Sequence, residues 1–315
     1  MMVRVLSIVF VLLNYFSITA YIPSDKDCIP IVYATDDKYV MPTIVSMESA
    51  VRSMSDTSFY EFTILVPNEF KQENINRFGK FEDYYKNKCN VKVIKMGDAY
   101  SEYYTGIWGK TMYYRLSIPD ILNDKDKAIY LDGDTFVCSD LKEMYHINLS
   151  NNYIGGVIDS SYSRSETTLK QYNDNIENYI CSGVLLINCK AWRKDKKIKK
   201  EIKKHCEKVQ EEGLIFPDQD ILNIVCGGKI QKIPLKYMFI NQPVKDHYTE
   251  NEFLEAKNNP VIIHYMGDQK PWFFDLGDHQ KNLFDKWRRL FYKIKGKYKF
   301  KNLKFKNKSY CKCCC

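Results

Sequence analysis

Short apolar runs that stop abruptly on a turn or a proline alternate with helix-period segments along most of this 315-residue chain, and that alternation is the strongest constraint on its fold. Residues 29–34 carry a buried-strand pattern that ends on Thr35-Asp36-Asp37. Then Met41, Ile44, Val45, Met47, Val51 and Met54 recur at helical spacing. Residues 62–66 are strand-like and stop at Pro67, a polar helix-compatible run reaches Lys88, and 91–96 read as another strand. Residues 112–118 suggest a short helix stopped by Pro119, and 128–131 a short strand running into Asp132-Gly133-Asp134. Further on, 153–158 and 183–187 read as strands, 192–212 as a charged helix with Ile198, Ile202 and Val209 on one face, 217–225 as a second helix, and 261–263 as a last strand. Strands alternating with helices join most simply as parallel neighbours covered on both faces. The expectation is one Rossmann-like α/β domain over residues 28–275, with a mostly parallel central sheet and helices on both faces.

The charge balance separates this body from its ends. The chain holds 47 Lys and Arg against 39 Asp and Glu, but 13 of the basic residues and only Asp285 of the acidic ones fall within 281–315. The remaining 280 residues carry 34 basic and 38 acidic side chains, so the body is mildly acidic and is not built to bind nucleic acid. Residues 281–315 read as a basic, Cys-ended tail, solvated at its end, with lysines alternating with Ile, Gly, Tyr and Phe. At the other end, Arg4, an apolar run over 5–13 and small Ala20 give residues 1–20 the form of a signal peptide. An uncleaved membrane anchor is the alternative, since residues 5–24 carry no charge. Either way the working part faces the secretory pathway, with membrane association through this segment or through the basic tail as a further expectation. Of eleven cysteines, four crowd the last five positions, and the seven in the body show no zinc spacing. Two sequons, at Asn148 and Asn307, matter only where the host compartment glycosylates.

In open α/β sheets ligands bind beyond the carboxyl ends of the strands. Four polar sites follow apolar strands directly: Asp36-Asp37, Asp132-Gly133-Asp134, Asp159 and His264. Two carboxylates one residue apart at a strand end suit a hard divalent cation that keeps positions open for phosphate oxygens. An imidazole from a separate strand completes a mixed O and N set, which fits Mn²⁺ as well as Mg²⁺. After His264 comes Tyr265-Met266-Gly267-Asp268-Gln269-Lys270-Pro271-Trp272, where a glycine lets backbone approach a phosphate and a lysine adds positive charge.

Six pieces in order resemble glycosyltransferase family 8: residues 31–39 (IVYATDDKY), Tyr114-Arg115-Leu116, residues 130–134 (YLDGD), 183–188 (GVLLIN), 218–223 (DQDILN) and 264–272. The resemblance covers roughly residues 29–273 and implies a GT-A fold and retaining transfer of glucose or galactose from a UDP-hexose donor. Carried over by position, it implies that Asp132, Asp134 and His264 bind Mn²⁺ and that Gly267 and Lys270 meet the diphosphate. Ala34, Asp36 and Tyr39 would meet uridine and ribose, and Gly133 would lie beside the donor. Arg115, Asp159, Asp218 and Gln219 would line the donor sugar as catalytic residues. The acceptor would be a hydroxyl on a glycan, glycolipid or protein. One position departs: Cys181 stands where family members often carry asparagine, and a thiol lacks the carboxamide's paired donor and acceptor. A second reading takes AIYLDGDTFV as the first motif of a haloacid-dehalogenase-like phosphatase, with Asp132 as nucleophile, Asp134 as general acid and Mg²⁺ between them. That motif normally opens its domain, whereas here about 100 residues of strand–helix pattern precede it. A third reading, a binding-only lectin-like member, would predict a damaged metal triad.

Overall fold

The computed structural model describes residues 25–106, 109–159, 179–240, 248–268, 270–273 and 278–304. The expected leader, the sequon at Asn307 and the last eleven residues lie outside these. Among the described residues no helix is long and apolar enough to cross a membrane.

A seven-stranded sheet carries the fold, in the order β3-β2-β1-β4-β7-β6-β8. Its strands are β1 (Asp27–Ala34), β2 (Ser58–Val66), β3 (Cys89–Lys95), β4 (Ala128–Leu131), β6 (Ile154–Ile158), β7 (Ile180–Ile187) and β8 (Ile230–Lys232). β7 runs antiparallel to both its neighbours, β4 and β6, while the other four pairings are parallel. The sheet is therefore mostly parallel, as the alternation of elements implies. Residues 29–33 of β1 and all of β4 and β7 are buried, as strands covered on both faces must be.

α1 (Val40–Ser53) and α2 (Gln72–Tyr85) follow β1 and β2 where the helical spacing puts them. Pro119 does not stop a helix. Lys110–Ser117 is a 3₁₀ helix, and Pro119 sits in the first turn of α3 (Ile118–Ile121), where its missing N–H is harmless. After α4 (Lys142–His146), the charged stretch expected as one helix over 192–212 is two: α5 (Cys189–Lys194) and α6 (Ile198–Glu207). Asp195 makes the break, with one carboxylate oxygen accepting from Lys197 N at 2.8 Å and the other from Tyr153 Oη at 2.6 Å. α7 (Pro217–Cys226) comes next, and α8 (Glu250–Asn258) starts from a capping box between Thr249 and Glu252.

Two further differences bear on the site. The strand expected at 261–263 is β9 (Ile262–His264), and it does not join the main sheet. It pairs antiparallel with β5 (Thr135–Val137), a strand too short to show in the sequence, with Thr135 opposite His264. The basic segment after residue 277 is not a solvated extension over its described part. Asp278–Ile294 forms α9, and Phe284, Trp287, Phe291 and Ile294 recur on one face and are buried against the domain. Lys297 and Tyr298 then reach the fully buried carboxylate of Glu48 in α1, at 2.7 and 2.6 Å on the same oxygen. Tyr85 Oη and Arg52 Nε hold the other oxygen at 2.6 and 3.0 Å. Burial pushes the Glu48 carboxyl up, but Lys297, Tyr298 and Tyr85 outweigh it and hold it below the ordinary carboxylate range.

Replacing Trp287 by alanine should lower the unfolding free energy by about 3–5 kcal/mol, read by denaturant titration. A loss under about 1 kcal/mol would place α9 outside the cooperative core. Because the folded carboxyl of Glu48 lies below its unfolded value, its stabilisation is complete above the ordinary carboxylate range and is lost as pH falls through the lower, folded value. Glu48→Gln should therefore be less stable than the parent at neutral pH, with the gap narrowing on acidification. A gap independent of pH would remove the charge from that explanation.

Candidate active site

Because β7 is reversed, its amino end lies at the sheet edge where β1, β4 and β6 end. That edge gathers Ala34 to Asp36 from β1, Asp132 to Asp134 from β4, Asp159 from β6 and Cys181 to Gly183 from β7. Arg115 arrives from the 3₁₀ turn, Asp218 and Gln219 from the first turn of α7, and His264 from β9. Together with Tyr39, Gly267 and Lys270 they line one cavity of about 550 Å³. All thirteen candidate residues named from the sequence, Gly133 included, stand on its wall.

The two carboxylates of the β4–β5 turn each use their oxygens differently. Asp132 Oδ1 accepts from Tyr130 Oη at 2.7 Å and Arg115 Nη2 at 2.9 Å, while Oδ2 lies 3.7 Å from His264 Nε2. Asp134 Oδ2 accepts from Lys270 Nζ at 2.5 Å, while Oδ1 lies 3.2 Å from His264 Nε2. One oxygen of each acid is thus anchored and the other turned toward the imidazole, and the three residues offer ligand atoms within 4.8 Å of one another. Neighbouring ligands of an octahedral ion at about 2.1 Å sit about 3 Å apart, so the set fits a hard divalent cation after small shifts. Burial raises the Asp134 carboxyl, but Lys270 and His264 outweigh it and keep the acid ionised well below its usual range. His264 Nδ1 is buried with no hydrogen-bond partner among the described residues. The imidazole packs so closely on Gly183 that a Cβ there would stand 2.1 Å from His264 Cε1 and 2.8 Å from Asp132 Oδ2. Gly133 is equally confined, by Thr43 Oγ1 at 2.5 Å from its Cβ position.

Arg115 is the buried hub beside this cluster. It donates to Asp132, to Ser182 O at 2.6 Å and Ser182 Oγ at 2.9 Å, lies 3.2 Å from Asp218 Oδ2, and stacks over Tyr130 at 4.4 Å. Burial works against its charge, and Asp132 and Asp218 more than compensate. The Asp218 carboxyl is pushed up by burial, which Arg115 offsets only in part. Gln219 is fixed at both ends of its amide: Oε1 accepts from Ser182 N at 2.9 Å, and Nε2 donates to Asp159 Oδ2 at 2.9 Å and Tyr179 Oη at 3.0 Å. Tyr179 Oη in turn donates to Asp220 Oδ1 at 2.6 Å. Burial lifts the Asp220 carboxyl to about 6, with the Tyr179 bond limiting the rise. The Cys181 thiol is driven far above its ordinary range by burial and then by Asp159, so it meets the cavity as a neutral group. Also lining the cavity, Asp36 Oδ1 accepts from the backbone of Lys38 and Tyr39, and the Tyr39 ring meets Trp272 edge-on at 5.8 Å.

Sequence reasoning assigned no role to Tyr130, Tyr179 or Ser182. Tyr130 was the findable one, since residues two apart on a strand share a face and Tyr130 precedes Asp132 by two. Ser182 was hidden because nothing in an apolar run shows that β7 is reversed.

Comparison with known proteins adds three findings. The family model for Glycosyl transferase family 8 matches residues 30–275. A lipopolysaccharide 1,2-glucosyltransferase of Escherichia coli is 25% identical over 307 residues, spanning 90% of this chain and 88% of that protein. Glycosyltransferase GlyE of Streptococcus pneumoniae is 27% identical over 254 residues, 77% of this chain and 56% of that protein. Among solved structures, the galactosyltransferase LgtC in complex with donor and acceptor sugar analogues superimposes with a TM-score of 0.66 at 24% identity, over 83% of this chain and 95% of that one. The shared fold is the GT-A fold.

Gly183→Ala should displace the imidazole and weaken Mn²⁺ binding by roughly 10–100-fold, the scale set by disturbing ligand orientation. Calorimetry with the metal alone would read this, with circular dichroism confirming the fold. Unchanged affinity would mean that His264 is not a ligand.

Proposed function

This chain belongs to glycosyltransferase family 8, and we propose that it moves glucose or galactose from a UDP-hexose to a hydroxyl on a glycan, lipid or protein, with retention at the anomeric carbon. It is a glycosyltransferase by family. The finer reading rests above all on the Asp132–Asp134–His264 cluster, set beside Lys270 and facing a cavity large enough for a nucleotide sugar. A divalent cation bound there, Mn²⁺ or Mg²⁺, would supply neutralising charge for the departing diphosphate.

The chain's own residues do the rest. Tyr130 and Arg115 orient Asp132, and Lys270 orients Asp134, so each acid keeps one oxygen turned toward the imidazole. Gly267, at φ +70°, holds a backbone conformation that brings main chain close to a bound phosphate, next to the Lys270 ammonium. Ala34, Asp36 and Tyr39 form the wall against which uridine and ribose rest. Arg115, Asp159, Asp218 and Gln219 surround the place of the hexose, and the Gln219 amide sets the Asp159 carboxylate. Gln219 is uncharged and engaged at both ends, so it positions rather than attacks. Cys181 offers the hexose a weak, neutral contact in place of a carboxamide, and this makes donor choice the property most exposed to that residue. The family match spans residues 30–275, which leaves the phosphatase reading of residues 128–137 with no support. Residues 1–20 we propose as an export signal that brings the enzyme to the secretory pathway, testable by N-terminal sequencing of the mature chain.

UDP titrated into residues 21–315 should bind with Mn²⁺ and cease to bind once a chelator is added. Asp132→Asn and Asp134→Asn should each lower Mn²⁺-dependent UDP-hexose hydrolysis by about 10²–10³-fold while leaving the fold intact. Unchanged turnover in both variants would overturn the metal assignment, and absence of UDP binding by folded protein would overturn the nucleotide-sugar reading.

A further inference from the structure

We infer that the C-terminal helix α9 is a positioning element of the donor site: it holds the 265–273 loop, and so Lys270, in register with Asp134. The inference rests on the nucleotide-sugar reading for its catalytic meaning and on geometry for its structure. Four contacts join helix and loop. Arg288 Nε donates to Pro271 O at 2.8 Å, one residue past Lys270. Tyr265 Oη donates to Leu283 O at 2.8 Å, and the Tyr265 ring meets Phe284 edge-on at 5.4 Å. Trp272 packs on Trp287 at 5.2 Å and also meets Tyr39 at 5.8 Å, so the helix reaches the nucleotide wall through one intervening ring.

The loop needs such support. Gly267 holds a left-handed φ that glycine enters without preference, so the backbone there is not fixed by its own chemistry. Lys270 is buried, and its ammonium bonds only Asp134 Oδ2 and Tyr265 O among the described residues. An ammonium on a four-carbon stem keeps one such geometry only if the backbone beneath it is held. Arg288 is the helix residue that binds the main chain beside Lys270 while lining no part of the cavity. It is a positioning residue.

The test uses the full chain and three variants. Arg288→Ala should speed amide hydrogen exchange over the 266–273 loop, weaken UDP·Mn²⁺ binding roughly tenfold and raise the donor KM by a similar factor, with kcat within about twofold. Arg288→Lys, which can still donate to Pro271 O, should recover most of the affinity. Lys297→Met removes an anchor of the same segment far from the loop; it should lower the melting temperature and leave loop exchange and KM unchanged. Unchanged exchange in Arg288→Ala overturns the inference whatever UDP does, and faster exchange with unchanged affinity overturns the link to the donor. An equal rise in KM for Lys297→Met reduces the effect to general stability and also overturns it. Parent protein that binds no UDP overturns the nucleotide reading and the donor role, and the exchange data then judge the mechanical link alone.

Discussion

The antiparallel pairing of β5 with β9 sets Thr135 against His264, and the whole candidate site depends on that register. Successive side chains on a strand alternate faces, so a slip of one residue would turn the imidazole away from the two acids. The ladder is extended by Tyr265 N donating to Asp134 O at 3.0 Å, which locks the turn carrying Asp132-Gly133-Asp134 to the ribbon. Buried Thr135 adds to the lock: its hydroxyl accompanies Asp132 O at 2.8 Å and Ser46 Oγ at 2.7 Å. Three short strand residues, themselves apolar or neutral, thereby decide where two carboxylates and an imidazole meet.

Charge at the site is distributed so that Asp132 and Asp134 each have a cation and a free edge. Arg115 sits between Asp132 and Asp218, and Lys270 beside Asp134, while His264 faces the unanchored oxygens. Six aspartates line the cavity and would otherwise repel and take up protons; Lys270 and His264 keep Asp134 ionised even where burial opposes it. The buried Asp218 carboxyl beside Arg115 is instead raised, since burial outweighs the guanidinium there.

Much of this was legible in the sequence, and what was hidden was hidden for physical reasons. Polar residues that follow apolar runs mark strand ends, so Asp36, Asp132, Asp134, Asp159 and His264 could be placed on one edge without coordinates. Strand direction leaves no trace in composition, so the reversal of β7, and with it the part played by Ser182, could not be read. β5 is three residues long, below the length at which alternation means anything, and so His264 was given the wrong sheet but the right edge. The basic segment misled because its charge count dominates: the spacing of Phe284, Trp287, Phe291 and Ile294 is helical, yet the lysines around it suggest solvent. The break at Asp195 depends on Tyr153, a partner 42 positions away that no local pattern contains.

Glu48 lies in the first helix, and its Lys297 and Tyr298 partners are 249 and 250 positions further on. A ribosome adds residues at about 5–20 per second, so the carboxylate spends on the order of ten seconds or more without them. The Lys270 to Asp134 bond likewise spans 136 positions. The nascent chain therefore carries Glu48 and Asp134 without these partners through much of its synthesis. Order of manufacture thus becomes a form of restraint: a chain interrupted before Lys270 would carry Asp134 without the ammonium that holds it.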